Sequence, residues 1–291
     1  MSTRNVIGVD LGGTKILAGV VDEHGEVLET IERPTPTNSQ TALLAGLVAA
    51  VEELRTPEIV AVGFGIPARI NRRTGVAFGA VNVPIREVRF QAELEQRLGL
   101  PVGAENDAGT AALAEFVRGA GRGARDLVLL TLGTGVGGGI VLDGKLYRGW
   151  AELGHMVIVE NGEPCQGSCT GRGHVESYCS GLAAERLAGR VLGPGATARD
   201  LVREEHPALQ EIGRHLGTAI ASLVNIFDPE LVVVGGGFGV AAGDLLLDPA
   251  REVVRREALV PGGESVRLVP AQLGASAGLI GAGLVAFEAL G

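Results

Sequence analysis

Val6-Ile7-Gly8-Val9-Asp10-Leu11-Gly12-Gly13-Thr14-Lys15-Ile16-Leu17-Ala18-Gly19-Val20-Val21 decides how this chain is read. Two apolar runs of strand length flank a glycine pair, which predicts a β-hairpin. Gly8 and Gly13 have the spacing of a P-loop. However, Thr14-Lys15 stand where Lys-Ser/Thr is required, and a β-branched run follows where a P-loop needs a helix. The stretch is therefore a hairpin turn with Asp10 at the end of its first strand. Gly12 and Gly13 let phosphate oxygens approach backbone N–H groups, and Asp10 can hold Mg2+, directly or through water. An ordinary β-turn with Asp10 as its turn residue fits the same residues. Pairing with a second such loop favours the functional reading.

That second loop is Thr131-Leu132-Gly133-Thr134-Gly135-Val136-Gly137-Gly138-Gly139, again between apolar runs. Between the two lies Ala104-Glu105-Asn106-Asp107-Ala108, a strand end running into an Ala-rich helix. Open α/β folds place ligands at the C-terminal ends of strands, so Asp107 is a candidate proton acceptor. Asn106 or Asp107 can also simply cap the helix, although capping needs only one of them. Two phosphate-type loops and a carboxylate point to a nucleotide-dependent phosphotransferase. A third glycine turn, Gly235-Gly236-Gly237, follows the strand Leu231–Val234 and is a candidate for the adenosine side.

Cys165, Cys169 and Cys179 fall within 15 residues, beside His155 and His174. Two Cys and two His in a glycine-rich loop match tetrahedral zinc chemistry, and a loop so poor in apolar residues gains its shape from a metal staple. Free thiols and unrelated histidines are the alternative. Cys179 reads as a packed thiol on the following helix. Glu152 and Glu176 flank the segment and can hydrogen-bond a polyol.

Composition narrows the classes. The 291 residues suffice for one large domain or two lobes, and with only 3% aromatics the core must be filled by Val, Leu, Ile and Ala. The net charge of −9 and the absence of a Lys/Arg-rich run argue against nucleic acid. The first residues run straight into a strand, leaving no room for a secretory signal. Leu127–Leu142, an uncharged stretch, is glycine-broken and shorter than the roughly 18–20 apolar residues of a membrane helix. An odd cysteine count argues against a disulfide framework. A cytoplasmic protein without membrane or nucleic-acid partners is expected.

Along the chain, residues 5–33 read as a β-meander stopped by Pro34 and Pro36, and residues 40–55 repeat apolar positions at helical spacing. Ile59–Gly65 and Val102–Glu105 read as strands, and residues 89–99 and 108–118 as helices. Gly119–Gly123 is the candidate lobe boundary. Strands Leu127–Leu132 and Gly139–Leu142 then repeat the N-terminal order, which predicts two related α/β halves with a cleft. Helices over 180–192, 207–226 and 277–290 complete the pattern.

These motifs together resemble the ROK family of sugar kinases, open reading frames and repressors, nearly end to end. The family likeness rests on Asp10–Lys15, Leu132–Gly139, Glu105–Ala108, Glu152–His155, the cysteine loop, Glu176 and Gly181. The resemblance implies an α/β, two-lobed actin-like ATPase (ribonuclease H-like) fold with a central cleft. The small lobe would span residues 1–118, with helix 277–291 packing back on it. The large lobe would span residues 119–276 and carry the zinc loop.

The resemblance also implies ATP-dependent phosphorylation of glucose at the 6-hydroxyl, to glucose 6-phosphate, with Asp107 as catalytic base. Sugar contacts fall on Asn82, Asn106, Asp107, Glu152, His155 and Glu176. Mg-ATP falls on Asp10, Gly12, Gly13, Thr14, Lys15, Gly133, Thr134, Gly135, Gly235 and Gly236. Structural Zn2+ falls on His155, Cys165, Cys169 and His174. The family's usual loop runs Cys, one residue, Cys, four residues, Cys. Here three residues separate Cys165 from Cys169, and His174 takes the last cysteine position. The tryptophan common a few residues beyond Asn82 is also absent. A homodimer or homotetramer is the expected assembly. Rival acceptors are N-acetylglucosamine, N-acetylmannosamine, fructose and mannose, and polyphosphate is a rival donor. A sugar-sensing repressor without catalysis is disfavoured, because family repressors carry a helix-turn-helix before the first loop and only nine residues precede Asp10.

Overall fold

The computed structural model describes residues 4–80 and 82–291. The chain divides into two compact units, Met1–Arg118 with Arg148–Trp150 and Ala275–Gly291, and Gly119–Tyr147 with Ala151–Gly274.

In the first unit, β1 (Asn5–Leu11), β2 (Lys15–Val21) and β3 (Val27–Pro34) form an antiparallel meander, followed by α1 (Gln40–Leu54) and β4 (Ile59–Ile66). A hairpin of β5 (Arg69–Asn71) and β6 (Val76–Phe78) precedes α2 (Phe90–Leu98), β7 (Val102–Asn106) and α3 (Asp107–Arg118). The sheet order is β3-β2-β1-β4-β7, with β1, β4 and β7 parallel. β3 ends on Pro34, where the sequence predicts a stop. It is an edge strand, where the missing N–H of proline costs no ladder bond.

A row of glycines crosses this sheet. Gly19 pairs with Gly8, Gly8 with Gly63, and Gly63 with Gly103. The C-terminal helix (Ala277–Glu288) lies on that row. A Cβ at Gly63 would stand 1.8 Å from the Ala282 carbonyl oxygen, and one at Gly8 2.3 Å from that of Leu279. Only bare backbone permits this approach. The helix is therefore set close against the sheet, with its first turn beside Asp10 of β1 and Val285 against Gly103 of β7. Phe64 and Phe90 pack edge to face at 5.5 Å in a core otherwise made almost entirely of aliphatic side chains.

The second unit repeats the order. β8 (Leu127–Leu132), β9 (Val136–Leu142) and β10 (Lys145–Leu146) form the meander. Then come α4 (Val175–Cys179), α5 (Gly181–Val191), α6 (Ala198–Arg203), α7 (Leu209–Phe227), β11 (Leu231–Gly235), α8 (Gly237–Ala242), α9 (Asp244–Glu257), α10 (Gly262–Ser265) and β12 (Arg267–Pro270). The sheet reads β10-β9-β8-β11-β12, with β8, β11 and β12 parallel. Its close packing is between helices. Gly213 and Gly217, one turn apart on α7, face the Leu246 and Ala250 carbonyls of α9. Among the described residues, no helix is long and apolar enough to cross a membrane.

Candidate active site and metal centre

In the first unit, the β1–β2 turn is tight. Gly12 N–H donates to the Lys15 carbonyl at 2.9 Å. Thr35, nearly buried, donates its hydroxyl to the Gly12 carbonyl at 2.8 Å, while its N–H donates to the Thr14 carbonyl at 3.0 Å. Thr35 thus pins the loop from outside, a role invisible in the sequence because Thr35 lies 23 residues from Gly12. Asn82 covers Gly13, whose Cβ would fall 3.0 Å from that of Asn82. Lys15 is drawn toward the edge strand, its ammonium 2.7 Å from the Glu32 carboxylate.

Asp10, one residue before the end of β1, is level with Gly65 of β4, which is level with Glu105 of β7. Its carboxylate faces Gly278 in the first turn of the C-terminal helix, where a Cβ would come within 2.5 Å of it. Burial pushes the Asp10 carboxyl up to about 6, the charge of Asp107 adds to the rise, and Lys15 opposes it. Two acids thus share the strand ends and resist being ionised together. A divalent cation would relieve this, so the donor chemistry fits Mg2+.

The segment around Asp107 is held on every side. Ala108 N–H donates to the Asp107 carboxylate at 2.8 Å and to the Asn106 side-chain oxygen at 3.0 Å, so both residues share the helix start. The Asn106 amide reaches the Ala68 carbonyl at 3.4 Å, and the Thr110 hydroxyl donates to the Asp107 carbonyl at 2.7 Å. Glu105 is buried. It accepts the Asn106 N–H at 2.8 Å and forms an ion pair with Arg72 from the β5–β6 turn. Burial raises the Glu105 carboxyl and Arg72 counters it. Arg72 has no sequence signal, since β5 and β6 are three residues each.

In the second unit, Gly133 N–H closes on the Gly135 carbonyl at 2.9 Å, and Gly181 N–H, at the start of α5, donates to the Gly133 carbonyl at 2.7 Å. Glu176 grips the loop's far side, taking Val136 N–H at 2.9 Å. Gly135 admits that carboxylate, because a Cβ there would lie 2.2 Å from it. Gly235 pairs with Thr131, and Gly236 (φ +77°) backs onto Leu132, so the third glycine turn adjoins the second loop. The turn carrying Glu152 and His155 lies on β9, with Gly154 against the Val136 carbonyl. Glu152 approaches His155 Nδ1 at 3.7 Å.

His155, Cys165, Cys169 and His174 converge, with one ligand atom of each within 4.8 Å of all the others. The departure from the usual spacing is absorbed by a turn. Cys169 N–H donates to the Gln166 carbonyl at 3.3 Å, with Gly167 at φ +60°, which brings both thiols to one side. Gln166 then ties the loop to α4 and α5 through the Glu176 carbonyl at 3.2 Å and Ser180 Oγ at 2.8 Å. Two soft sulfurs and two imidazoles fit zinc. Cys179 is fully buried on α4, and burial drives its thiol far above the usual range.

Two sheets of one strand order, each opening on a glycine hairpin, with paired acids at strand ends in the first unit, define the actin-like ATPase fold. The chain belongs to the ROK family, whose pattern it matches over residues 6–289. It is 39% identical to a glucokinase of Streptomyces coelicolor, covering 97% of each chain. A crystal structure of a ROK family glucokinase from Streptomyces griseus in complex with glucose and AMPPNP matches with a TM-score of 0.80 at 37% identity, over 98% of this chain and 99% of that one. The ROK hexokinase from Thermus thermophilus matches with a TM-score of 0.85 at 34% identity, over 98% and 99%.

Proposed function

We propose that this protein catalyses ATP-dependent transfer of a phosphoryl group to the 6-hydroxyl of glucose, giving glucose 6-phosphate. The observation that carries the reading is Asp107, held at a strand end by Asn106, Ala108 and Thr110 beside a second acid and a pinned glycine loop. Similarity to glucokinases over nearly the whole chain supports the choice of acceptor.

Asp107 accepts the proton of the sugar hydroxyl as its oxygen attacks the γ-phosphorus and the bond to the β-phosphate oxygen breaks. Phosphoryl transfer demands mainly positioning and charge neutralisation. Backbone N–H groups of the two glycine loops supply donors to the phosphates, and Gly235 and Gly236 flank the adenosine. Asp10 holds Mg2+, which neutralises phosphate charge. Asn82, Asn106, Glu152, His155 and Glu176 hold the sugar hydroxyls. Zn2+ on His155, Cys165, Cys169 and His174 acts as a structural staple that fixes the His155 ring. The proposed assembly is a homodimer or homotetramer, and the proposed compartment the cytoplasm.

The test is a coupled ADP-release assay on glucose, mannose, fructose, N-acetylglucosamine and N-acetylmannosamine, repeated with polyphosphate as donor by following glucose 6-phosphate. Glucose with ATP should give the highest kcat/KM, because a hydrogen-bonding site rejects analogues that leave its polar groups unpaired. A preference for another sugar overturns the acceptor assignment, and turnover of none overturns the kinase.

A further inference from the structure

Trp150 is the single tryptophan of the chain, and its side chain is 59% exposed. An exposed indole with no core role invites explanation, since tryptophan normally buries its large ring. The Arg69 guanidinium lies over the ring, 5.4 Å from its centroid. A cation on one face holds the ring by cation–π attraction and leaves the opposite face open.

Arg69 adjoins segments that carry proposed acceptor residues. Arg69 directly follows Ala68, whose carbonyl receives the Asn106 amide. Arg69 pairs with Phe78 across the β5–β6 hairpin, and Gly79 sits against its guanidinium, three residues before Asn82. Trp150 itself stands two residues before Glu152. Between them Ala151 adopts φ +50°, and its carbonyl takes the Leu153 N–H at 2.7 Å. A non-glycine residue in that region is strained, so the backbone just after Trp150 is held at some cost.

We propose, building on the hexokinase reading above, that Trp150 is a specificity-determining residue of the acceptor site. It lays the open face of its indole on the C–H face of a hexopyranose, with Arg69 as the residue that positions it. A sugar whose hydroxyls are all equatorial presents flat C–H faces to such a ring. An axial hydroxyl, as at C2 of mannose, points a polar group into it, and burying that group unpaired is costly. The pair therefore selects the glucose configuration.

The experiment uses the full chain, with Trp150 as its own fluorescent reporter. Glucose without ATP should protect wild-type emission from acrylamide quenching, half-maximally near the glucose KM, and mannose should protect only at higher concentration. Trp150→Ala should raise the glucose KM about tenfold and narrow the glucose-to-mannose ratio of kcat/KM by a similar factor, with the KM for ATP within twofold. Trp150→Phe should restore most of the glucose KM, because it returns an aromatic face. Arg69→Met should red-shift the emission and raise the glucose KM by a smaller factor, a paired change that a merely structural residue would not produce. If glucose is turned over but gives no protection, and Trp150→Ala leaves KM and sugar preference intact, the inference is overturned while the kinase stands. If no hexose is turned over, both fall.

Discussion

The β1–β2 and β8–β9 hairpins occupy the same place in two sheets of the same strand order, yet opposite chemistry holds them. Asp10, the residue before Leu11-Gly12, is an acid that burial and a second acid keep reluctant to ionise. The matching residue before Leu132-Gly133 is the neutral Thr131. The first loop is pinned by the hydroxyl of Thr35. The second is gripped by the carboxylate of Glu176 and the N-terminus of α5. One fold supplies the frame twice, and the residues at the loop margins differ: the first copy gathers acids, and the second ties into the cysteine loop.

The comparison breaks first at Asp107. If the first unit alone carries the acid chemistry, Asp107→Asn should lower kcat by about 10²–10⁴ while sugar affinity changes little, because the amide keeps the shape and the Ala108 contact. Steady-state kinetics on glucose and ATP check it. A variant that keeps more than about a tenth of the wild-type kcat is incompatible with Asp107 as the base.

The second unit's claim is the metal. Elemental analysis of protein purified without added metal should find one Zn2+ per chain. Chelation or Cys169→Ala should lower Tm and raise the sugar KM by about tenfold or more, with the KM for ATP less affected, since the four donors adjoin Glu152 and Glu176. Fully active enzyme with near-zero zinc would remove the site. A Cys165→Ser variant that retains all its zinc would remove only that ligand.

Much of this division is legible in the residues. Glycine pairs between apolar runs mark both hairpins, and Asn106-Asp107 stand where a strand meets a helix. The parts that escape do so for physical reasons. β5 and β6 are too short for any period to show, so neither the hairpin nor Arg72 can be read. Glu176 reaches a loop 40 residues away, a distance only folding closes. α9 contains Pro249, a helix breaker on sequence grounds, yet its ring packs onto bare Gly213 of α7 and the helix continues. The spacing between Cys165 and Cys169 departs from the family pattern, and only the turn at Gly167 shows how the thiols still meet.

The two units also pack differently, which substitutions can sharpen. Gly63→Ala would place a Cβ 1.8 Å from a backbone oxygen of the C-terminal helix. Gly217→Ala on α7 would meet the Ala250 carbonyl and the Val253 Cβ at 2.7 Å. Overpacking of this kind costs about 1–3 kcal/mol, and Gly63→Ala should sit at or above the top of that range because its obstacle is backbone. Calorimetry should show the larger Tm loss for Gly63→Ala. The reverse order would mean the helix on the first sheet yields more easily than the α7–α9 pair.

The smallest effect concerns pH, where the two units run in opposite directions. For Asp10 the folded value lies above the unfolded 3.8, so its contribution to stability is fully present below 3.8 and is lost as pH rises through about 6. His215 on α7 has the other sign. Its ring stacks on Tyr178 at 4.5 Å, and burial lowers its pKa below 6.5, with Glu211 opposing and Arg214 adding to the drop. Above 6.5 the imidazole is neutral in both folded and unfolded chains. As pH falls through 6.5, the unfolded chain takes the proton first, and the fold loses stability. Tyr178 also accepts the Glu163 N–H at 2.7 Å, so this loss is felt at the edge of the cysteine loop. His215→Phe keeps a ring on Tyr178 and removes the titration. Its Tm should fall less than that of the wild type between pH 7 and pH 5.5, by about 1 °C. Equal slopes in the two proteins would show that His215 is protonated as readily folded as unfolded.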